Sequence, residues 1–236
     1  MHFEARRVRR TRILWVVAGV LSCFSLSAVG AQAPIGEADH LLAYLSPEQV
    51  DLAKLVRVQL SGQKREVLSI LEHADALARA GIGYRTDKRA DPLTRADLES
   101  SPPDLSCTEF VWLVYSQAGI DLGNFHVETK ELAYDRGVYA PQLIKLDPSS
   151  PIRPADILVY EYPDQKLMRE EEDDGHYRAG HAVIVVSAKR RIVVGSHGAE
   201  STPKGAPTGV GYRRLLRGWT QWTAGRRLRA IYRLRG

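Results

Sequence analysis

Three side chains of this sequence have types and positions that suit acyl-transfer chemistry. Cys107 stands at the start of a segment in which apolar residues recur at spacings of three and four as far as Gly119, a pattern that predicts a helix with this cysteine in its first turn. The backbone N–H groups and the dipole of a helix N-terminus favour a thiolate. A thiol nucleophile also needs a base, normally a histidine that a third polar group orients, and His181 and His197 are the candidates.

The two histidines stand at matching ends of two predicted strands. An apolar run follows His181 and another precedes His197, which predicts a hairpin. Pairing of Ser187 with Ile192 is one possible register. It places His181 opposite Gly198, whereas a shift of one residue places the two histidines opposite each other. In either register the imidazoles lie within one pair of each other, where opposed Cβ atoms are about 4.5–5.5 Å apart. The alternative is that both histidines only face solvent or have structural partners.

The first 33 residues are typical of a secretion signal. Five arginines precede an apolar run at 13–21, and small residues follow, with Ala33 at the end of the expected cleavage site. The run is shorter than the roughly 20 apolar residues of a spanning helix. We therefore expect an exported protein, periplasmic or secreted, with no stable membrane span after processing. A lipoprotein acylated at Cys23 is the weaker alternative.

Charge and cysteine content depend on the same segment. The chain of 236 residues has a formal net charge of +5, and the first 33 residues carry five arginines and one glutamate, or +4, which leaves +1 for the remainder. A nearly neutral remainder argues against nucleic-acid binding. Of the 2 cysteines, only Cys107 lies beyond the signal. An internal disulfide is then impossible, and this thiol is either a buried small hydrophobe or a retained nucleophile.

The order of the remaining patterns predicts an α+β fold. Helical patterns precede the strands: one begins at Ser46 and ends at Gly62, and another ends at Gly81. A polar, proline-containing segment at 86–104 predicts an exposed loop. Apolar and alternating runs predict strands at 157–160, 182–186, 192–194 and 229–235. Helices first and a mainly antiparallel sheet afterwards define the α+β class.

Four short motifs together resemble the NlpC-type cell-wall cysteine peptidases, and the Cys-Thr pair also resembles the related CHAP amidases. The family patterns, in chain order, are Gly-x-Pro-Tyr, Asp-Cys-Ser-Gly-Phe-Val, Pro-Gly-Asp-Leu and His-Val-Gly-Ile. The corresponding segments here are Ile82-Gly83-Tyr84-Arg85, Ser106-Cys107-Thr108-Glu109-Phe110-Val111, Pro154-Ala155-Asp156-Ile157-Leu158 and Gly180-His181-Ala182-Val183-Ile184. Motifs in the correct order are more specific than any one of them.

The resemblance implies a papain-like domain at 67–236, and the helical patterns before it predict a helical extension at 34–66. It implies Cys107 as nucleophile, His181 as general base and His197 as the residue that orients the base. The expected substrate contacts are Tyr84, Ser106 and Thr108. Two positions depart from the family pattern: Ser106 stands in place of its acid, and Thr108-Glu109 stands in place of its Ser-Gly.

The implied function is cleavage of an amide bond in peptidoglycan stem peptides by an exported cysteine hydrolase. Two alternatives stay open: a catalytically silent module of the same fold that binds wall peptide or a protein, and a thiol hydrolase or acyltransferase with another substrate.

We expect neither a metal nor another cofactor. The acidic run at 170–174 lacks the spacing of a calcium loop, and His176 stands five residues before His181, a poor spacing for a metal pair. Trp219 and Trp222 are expected to pack in the core or at a rim, with stacking on a glycan as the alternative.

Overall fold

The computed structural model describes residues 41–59, 64–85, 94, 96–97, 104–123, 127–134, 139, 142–162, 180–199, 202, 205–223 and 225–235. The expected signal at 1–33, Cys23, the acidic run at 170–174, His176 and most of the expected loop at 86–104 lie outside these residues.

The described residues form an α+β fold around one antiparallel sheet. The helices are α1 (Leu52–Gln59), α2 (Arg65–Arg79), α3 (Cys107–Gln117) and α4 (Thr129–Tyr134), and a 3-10 turn spans Pro47–Gln49. The strands are β1 (Leu42–Leu45), β2 (Leu143–Leu146), β3 (Ile157–Glu161), β4 (His181–Ser187), β5 (Ile192–His197), β6 (Gly209–Leu215) and β7 (Arg227–Leu234). Their order across the sheet is β1-β6-β5-β4-β3-β7-β2, and all six pairings are antiparallel.

Each face of the sheet carries its own apolar cluster. Alternate residues of the central strands, such as Ala182 and Ile184, pack against α2 and α3. The residues between them, such as Val183 and Val185, pack on the other face with Trp222. Every residue of β3, β4 and β5 is buried, which explains why these strands read as continuous apolar runs in the sequence.

The helices and strands of the core confirm the expected α+β class. The expectation of a wholly helical N-terminal segment is wrong. The segment at 34–66 was expected to be helical, but β1 lies within it and pairs with β6 at the edge of the sheet. A strand of four residues is too short for a periodic signal. Ser46 does begin a helical turn, where its N–H donates to Gln49 Oε1 at 2.8 Å, but that turn is the 3-10 segment. A separate helix, α1, then follows, with the N–H of Lys54 bonded to Asp51 Oδ1 at 2.8 Å in its first turn.

A tight turn at Ala155 leads into β3. Ala155 has a φ of +62°, in the left-handed region, and this position corresponds to the glycine of the Pro-Gly-Asp-Leu pattern. Its N–H donates to Val185 O at 2.8 Å, and Tyr115 Oη donates to its carbonyl at 2.5 Å. The next residue, Asp156, accepts two hydrogen bonds from Arg233, at 2.8 and 2.7 Å. These bonds hold an alanine in a conformation that glycine adopts more easily.

We therefore expect Ala155→Gly to stabilise the protein by about 0.5–1 kcal/mol, because relief of the left-handed strain outweighs the extra entropy of the unfolded chain. Urea unfolding followed by circular dichroism measures the change. Ala80→Gly is the matched control, because Ala80 has an ordinary φ of −71° and should lose about 0.5–1 kcal/mol instead. A loss of stability in both variants would contradict the strain at Ala155.

Candidate functional site

Cys107 is the first residue of α3 and is 5% exposed. The helix begins with a capping box: Ser106 Oγ accepts a hydrogen bond from the N–H of Glu109 at 3.4 Å, and Glu109 Oε2 accepts one from the N–H of Ser106 at 2.8 Å. These two bonds fix the direction in which the chain enters the helix. The capping box therefore positions the thiol at the helix N-terminus, as the sequence predicts.

The carboxylate of Glu109 is completely buried beside the predicted nucleophile. Arg85 Nη2 donates to Glu109 Oε1 at 2.7 Å, and the arginine side chain is 14% exposed. A buried carboxylate without such a partner would be costly and would oppose a thiolate two residues away. The ion pair compensates the negative charge, so that the helix N-terminus retains its preference for an anion.

The two predicted histidines form a buried pair. His181 Nε2 lies 2.9 Å from His197 Nδ1, and the ring centroids are 5.1 Å apart. Ser187 pairs with Ile192. An irregularity between Val185 and Ser187 then shifts the pairing by one residue in the part of the hairpin that leads to the histidines, where Val185 pairs with Val193. Of the two registers left open by the sequence, the one shifted by one residue is therefore found from Val185 towards the histidines. The bulge supplies the one-residue shift that places the imidazoles opposite each other.

Hydrogen bonding determines which ring nitrogens carry protons. His197 Nε2 lies 2.9 Å from Gly211 O, and because a carbonyl only accepts, Nε2 must be protonated and donate. In neutral His197 the other nitrogen, Nδ1, is then an acceptor. His181 Nε2 must donate to it, which leaves His181 Nδ1 unprotonated whenever that ring is neutral. This chain of bonds assigns the lone pair of a base to His181 Nδ1.

Both rings are neutral at pH 7. Burial lowers the pKa of His181 well below its usual range, and the neighbouring His197, Arg226 and Arg213 lower it further. Burial also lowers the pKa of His197, with Arg213 as the next cause and the bond to Gly211 opposing them. The low dielectric and the two buried arginines therefore disfavour an imidazolium in the resting protein.

Trp222 covers this pair. Its ring centroid lies 4.7 Å from that of His181, and it stacks on His197 at 5.6 Å with an angle of 10° between the planes. The indole is completely buried, so that it excludes water from the bond between the imidazoles. Core packing, rather than stacking on a glycan, is thus the role of Trp222.

The thiol and the imidazole pair lie at one end of the sheet but belong to different faces. Cys107 packs in the cluster on the helix face, together with Ala182, whereas both imidazoles contact Trp222 on the other face. Ser196 Oγ donates to Leu105 O at 2.5 Å, which ties the start of α3 to the residue before His197.

The three residues expected to contact substrate differ in their exposure. Ser106 and Thr108 are 3% and 1% exposed, and the hydroxyl of Ser106 serves in the capping box. Tyr84 is partly exposed. It forms a bridge with Leu105, and its ring packs so closely on Gly198 that a Cβ there would lie 2.7 Å from Cε1 of the tyrosine. Tyr84 therefore lies between the start of α3 and the residue after His197.

Sequence reasoning did not connect two residues to the imidazole pair, although it expected Trp222 to pack in the core or at a rim. Gly211 contributes only its carbonyl, which no side-chain pattern reveals. Trp222 contributes packing from a segment far from both histidines in the chain. The strand that pairs with His197 is β6, whose segment does not alternate between apolar and polar residues and so gives no strand signal of its own.

Other features of the described residues lie elsewhere. A groove of about 130 Å³ opens where β3 begins, at the other end of the sheet, lined by Lys64, Val67, Arg153, Pro154, Ala155, Asp156, Arg233 and Leu234. Within the described part of the chain, no three histidine, cysteine, aspartate or glutamate side chains are grouped to hold a metal ion. No helix among the described residues is long and apolar enough to cross a membrane.

In comparisons with family models, with curated proteins and with solved structures, no match was found for this chain. The geometry of the site therefore carries the functional argument.

Because the imidazoles stay neutral in the folded protein but take up protons near pH 6.5 when unfolded, their contribution to stability is complete above pH 6.5 and is lost as the pH falls below it. We expect the free energy of unfolding to fall by up to about 1.4 kcal/mol per pH unit for each histidine. Urea titrations between pH 7.5 and 5 measure the slope, which the double variant His181→Gln/His197→Asn should flatten. His73→Gln, at a partly exposed position of α2, is the control for removal of any histidine. If the free energy of unfolding falls with pH as steeply in the double variant as in the wild type, the two imidazoles are not the buried neutral groups that cause the slope.

Proposed function

We propose that the protein is a cysteine hydrolase that cleaves an amide bond, with Cys107 as nucleophile, His181 as general base and His197 as the residue that orients it. The observation that carries the proposal is the chain of hydrogen bonds from Gly211 O through His197 to His181. Two neutral imidazoles in this chain leave His181 Nδ1 as an acceptor, which is the state that a general base requires.

In the proposed reaction, His181 Nδ1 takes the proton of the Cys107 thiol as sulfur attacks the carbonyl carbon of the substrate. The positive charge on His181 is transient, because burial and two nearby arginines disfavour it. The backbone N–H groups at the start of α3 favour the oxyanion. The imidazolium then protonates the departing amine, and an acyl group stays on sulfur. Water, deprotonated by the same nitrogen, releases the acid and restores the thiol.

Peptidoglycan stem peptides are the proposed substrate. This choice rests on the resemblance of four motifs to the NlpC-type peptidases and on the signal-like residues 1–33, which together favour a periplasmic or secreted hydrolase. The partly exposed ring of Tyr84 is the proposed wall of the substrate cleft.

A catalytically silent binding module of the same fold is the second candidate. Two observations favour it: the thiol and the imidazole pair belong to different faces of the sheet, and the buried carboxylate of Glu109 lies two residues from the thiol. In this alternative the cysteine is a core residue and the cleft only holds its ligand.

Digestion of purified sacculi tests the proposed substrate. We expect the protein without residues 1–33 to release peptide fragments that mass spectrometry identifies, and we expect Cys107→Ala and Cys107→Ser to release none. The serine variant is the matched control, because it replaces the thiol with a hydroxyl of similar size that is a far weaker nucleophile. Two outcomes would exclude peptidoglycan cleavage by this thiol: equal amounts of fragments with all three proteins, or no fragments with the unsubstituted protein from any of several wall chemotypes.

Substitution of the two histidines tests the assigned roles. Asparagine at 197 can accept from His181 and donate to Gly211 O, so His197→Asn should keep activity within about tenfold of the wild type, whereas His197→Ala should lose about 100-fold. His181→Asn removes the base and should lose about 10³-fold. Initial rates of fragment release measure the order, with circular dichroism as the check on folding. Wild-type rates for His197→Ala would show that His197 does not orient the base.

Thiol alkylation separates the enzyme from the silent module. With the proposed site, iodoacetamide should modify Cys107 below the free-thiol pKa of about 8.5, and His181→Ala should slow the modification. A module with an inert core cysteine predicts no modification until the protein unfolds, with or without His181.

A further inference from the structure

The turn between β4 and β5 and the end of β6 form a basic corner of the sheet. The segments at 188–192 and 214–218 contain ten residues, of which five are basic and none is acidic. Ile192 pairs with both Ser187 and Arg214, which places the two segments side by side. The basic corner consists of Leu216 and five cations: Lys189, Arg190, Arg191, Arg214 and Arg217.

The charges of the basic corner are presented to solvent. Four of the cations are exposed: Lys189, Arg190, Arg214 and Arg217. The guanidinium of Arg191 donates to the carbonyls of Leu215 and Leu216, at 2.9 and 3.3 Å, and so ties the turn to the end of β6. Among the residues that the structure describes, no carboxylate forms an ion pair with any of the five cations. Positive charge is therefore concentrated here, although the sequence after residue 33 has a net charge of only +1.

Leu216 adds an exposed apolar side chain to these charges. It is 41% exposed and stands between Leu215 and Arg217. Its N–H donates to Leu41 O at 2.8 Å, and its carbonyl accepts from Arg191, so that its backbone is held on both sides. A leucine among exposed cations suits the interface of an anionic bilayer, where the cations meet headgroups and the leucine meets acyl chains. A soluble polyanion offers the leucine no apolar environment.

The basic corner and the candidate site lie at opposite ends of the central strands. β4 begins at His181 and ends at Ser187, whereas β5 begins at Ile192 and ends at His197. The seven residues of β4 span roughly 20 Å. A bilayer at the basic corner would thus leave the imidazole pair and the start of α3 facing away from lipid.

The chain enters the sheet beside the same corner. Leu42, the first residue of β1, pairs with Leu215, and the signal-like residues 1–33 stand earlier in the sequence. A signal segment directs its chain to a membrane. That membrane is the anionic surface available to the basic corner.

We propose that the basic corner binds the surface of a bilayer that contains anionic phospholipid, with the cations at the phosphate headgroups and Leu216 among the acyl chains. Clusters of four to eight lysines and arginines are typical of such binding, and each charge strengthens it about fivefold. The inference goes beyond the proposed function, because lipid binding does not depend on cleavage. Together, the two proposals direct the candidate site from the membrane surface toward the wall.

Sedimentation with lipid vesicles tests the proposal. The protein without residues 1–33 keeps every described helix and strand. It is mixed with vesicles of phosphatidylcholine, or of phosphatidylcholine and phosphatidylglycerol in equal parts, and the bound fraction is measured against lipid concentration. We expect binding only to the vesicles with phosphatidylglycerol. Binding should weaken as salt rises from about 0.1 M to about 1 M, because the screening length falls from about 10 Å to about 3 Å.

Substitutions identify the surface that binds. Lys189→Gln/Arg190→Gln should weaken binding about 30-fold, because it removes two charges from the basic corner. Lys54→Gln/Arg227→Gln is the matched control, because it removes one exposed lysine and one exposed arginine from outside the corner, and it should change binding by less than about twofold. Leu216→Gln should weaken binding about fivefold without changing its dependence on salt. Circular dichroism checks that each variant is folded.

Three results would overturn the proposal: equal binding to the two kinds of vesicle, equal losses in the two double variants, or no loss with Leu216→Gln. The last result is expected of a surface that binds a soluble polyanion and inserts nothing into lipid. The assay contains no wall substrate. Vesicle binding without release of wall fragments would therefore refute peptidoglycan cleavage and support the basic corner, whereas fragment release without vesicle binding would do the reverse.

Discussion

The three central strands are buried on both faces, and polar groups on them must therefore find partners inside the protein. Most of the bonds that define the architecture follow from this requirement. Ser196 reaches Leu105 O, and Tyr232 on the adjoining strand β7 reaches Leu132 O. The first bond joins the sheet to the residue before the cap of α3 and the second joins it to α4 itself, so that satisfying a buried hydroxyl also fixes how each helix sits on the sheet.

The same requirement accounts for the imidazole pair. A buried imidazole has two ring nitrogens to satisfy, and His197 satisfies both by bridging His181 and Gly211 O. Because the burial that makes the bridge necessary also keeps the rings neutral, geometry and protonation state have one cause. An amide side chain has the same pattern of one acceptor and one donor, which is why positioning, rather than proton transfer, is the chemistry that this position supports.

Charge is distributed unequally between the two faces. Arg213 lies on the side of the imidazoles, where burial lowers its pKa to about 10. Its guanidinium donates to the carbonyls of Tyr212 and Pro207, at 2.9 and 2.8 Å. On the helix face the completely buried carboxylate of Glu109 forms an ion pair with Arg85. The imidazole face therefore disfavours a second positive charge. On the helix face, the arginine compensates the charge of the Glu109 carboxylate, and the N-terminus of α3 stays favourable for an anion.

The sequence by itself determined those features whose cause lies within a few residues. Spacings of three and four predicted the helix that starts at Cys107, apolar runs predicted β3, β4 and β5, and the hairpin pattern predicted neighbouring histidines, because these patterns reflect contacts between residues close in the chain. Only the tertiary structure decided the bulge that aligns His181 with His197, the face to which each site residue belongs, the carbonyl of Gly211 and the cover supplied by Trp222. Those features depend on which distant strands pair and on what each face must bury, and neither leaves a periodic mark in the local sequence.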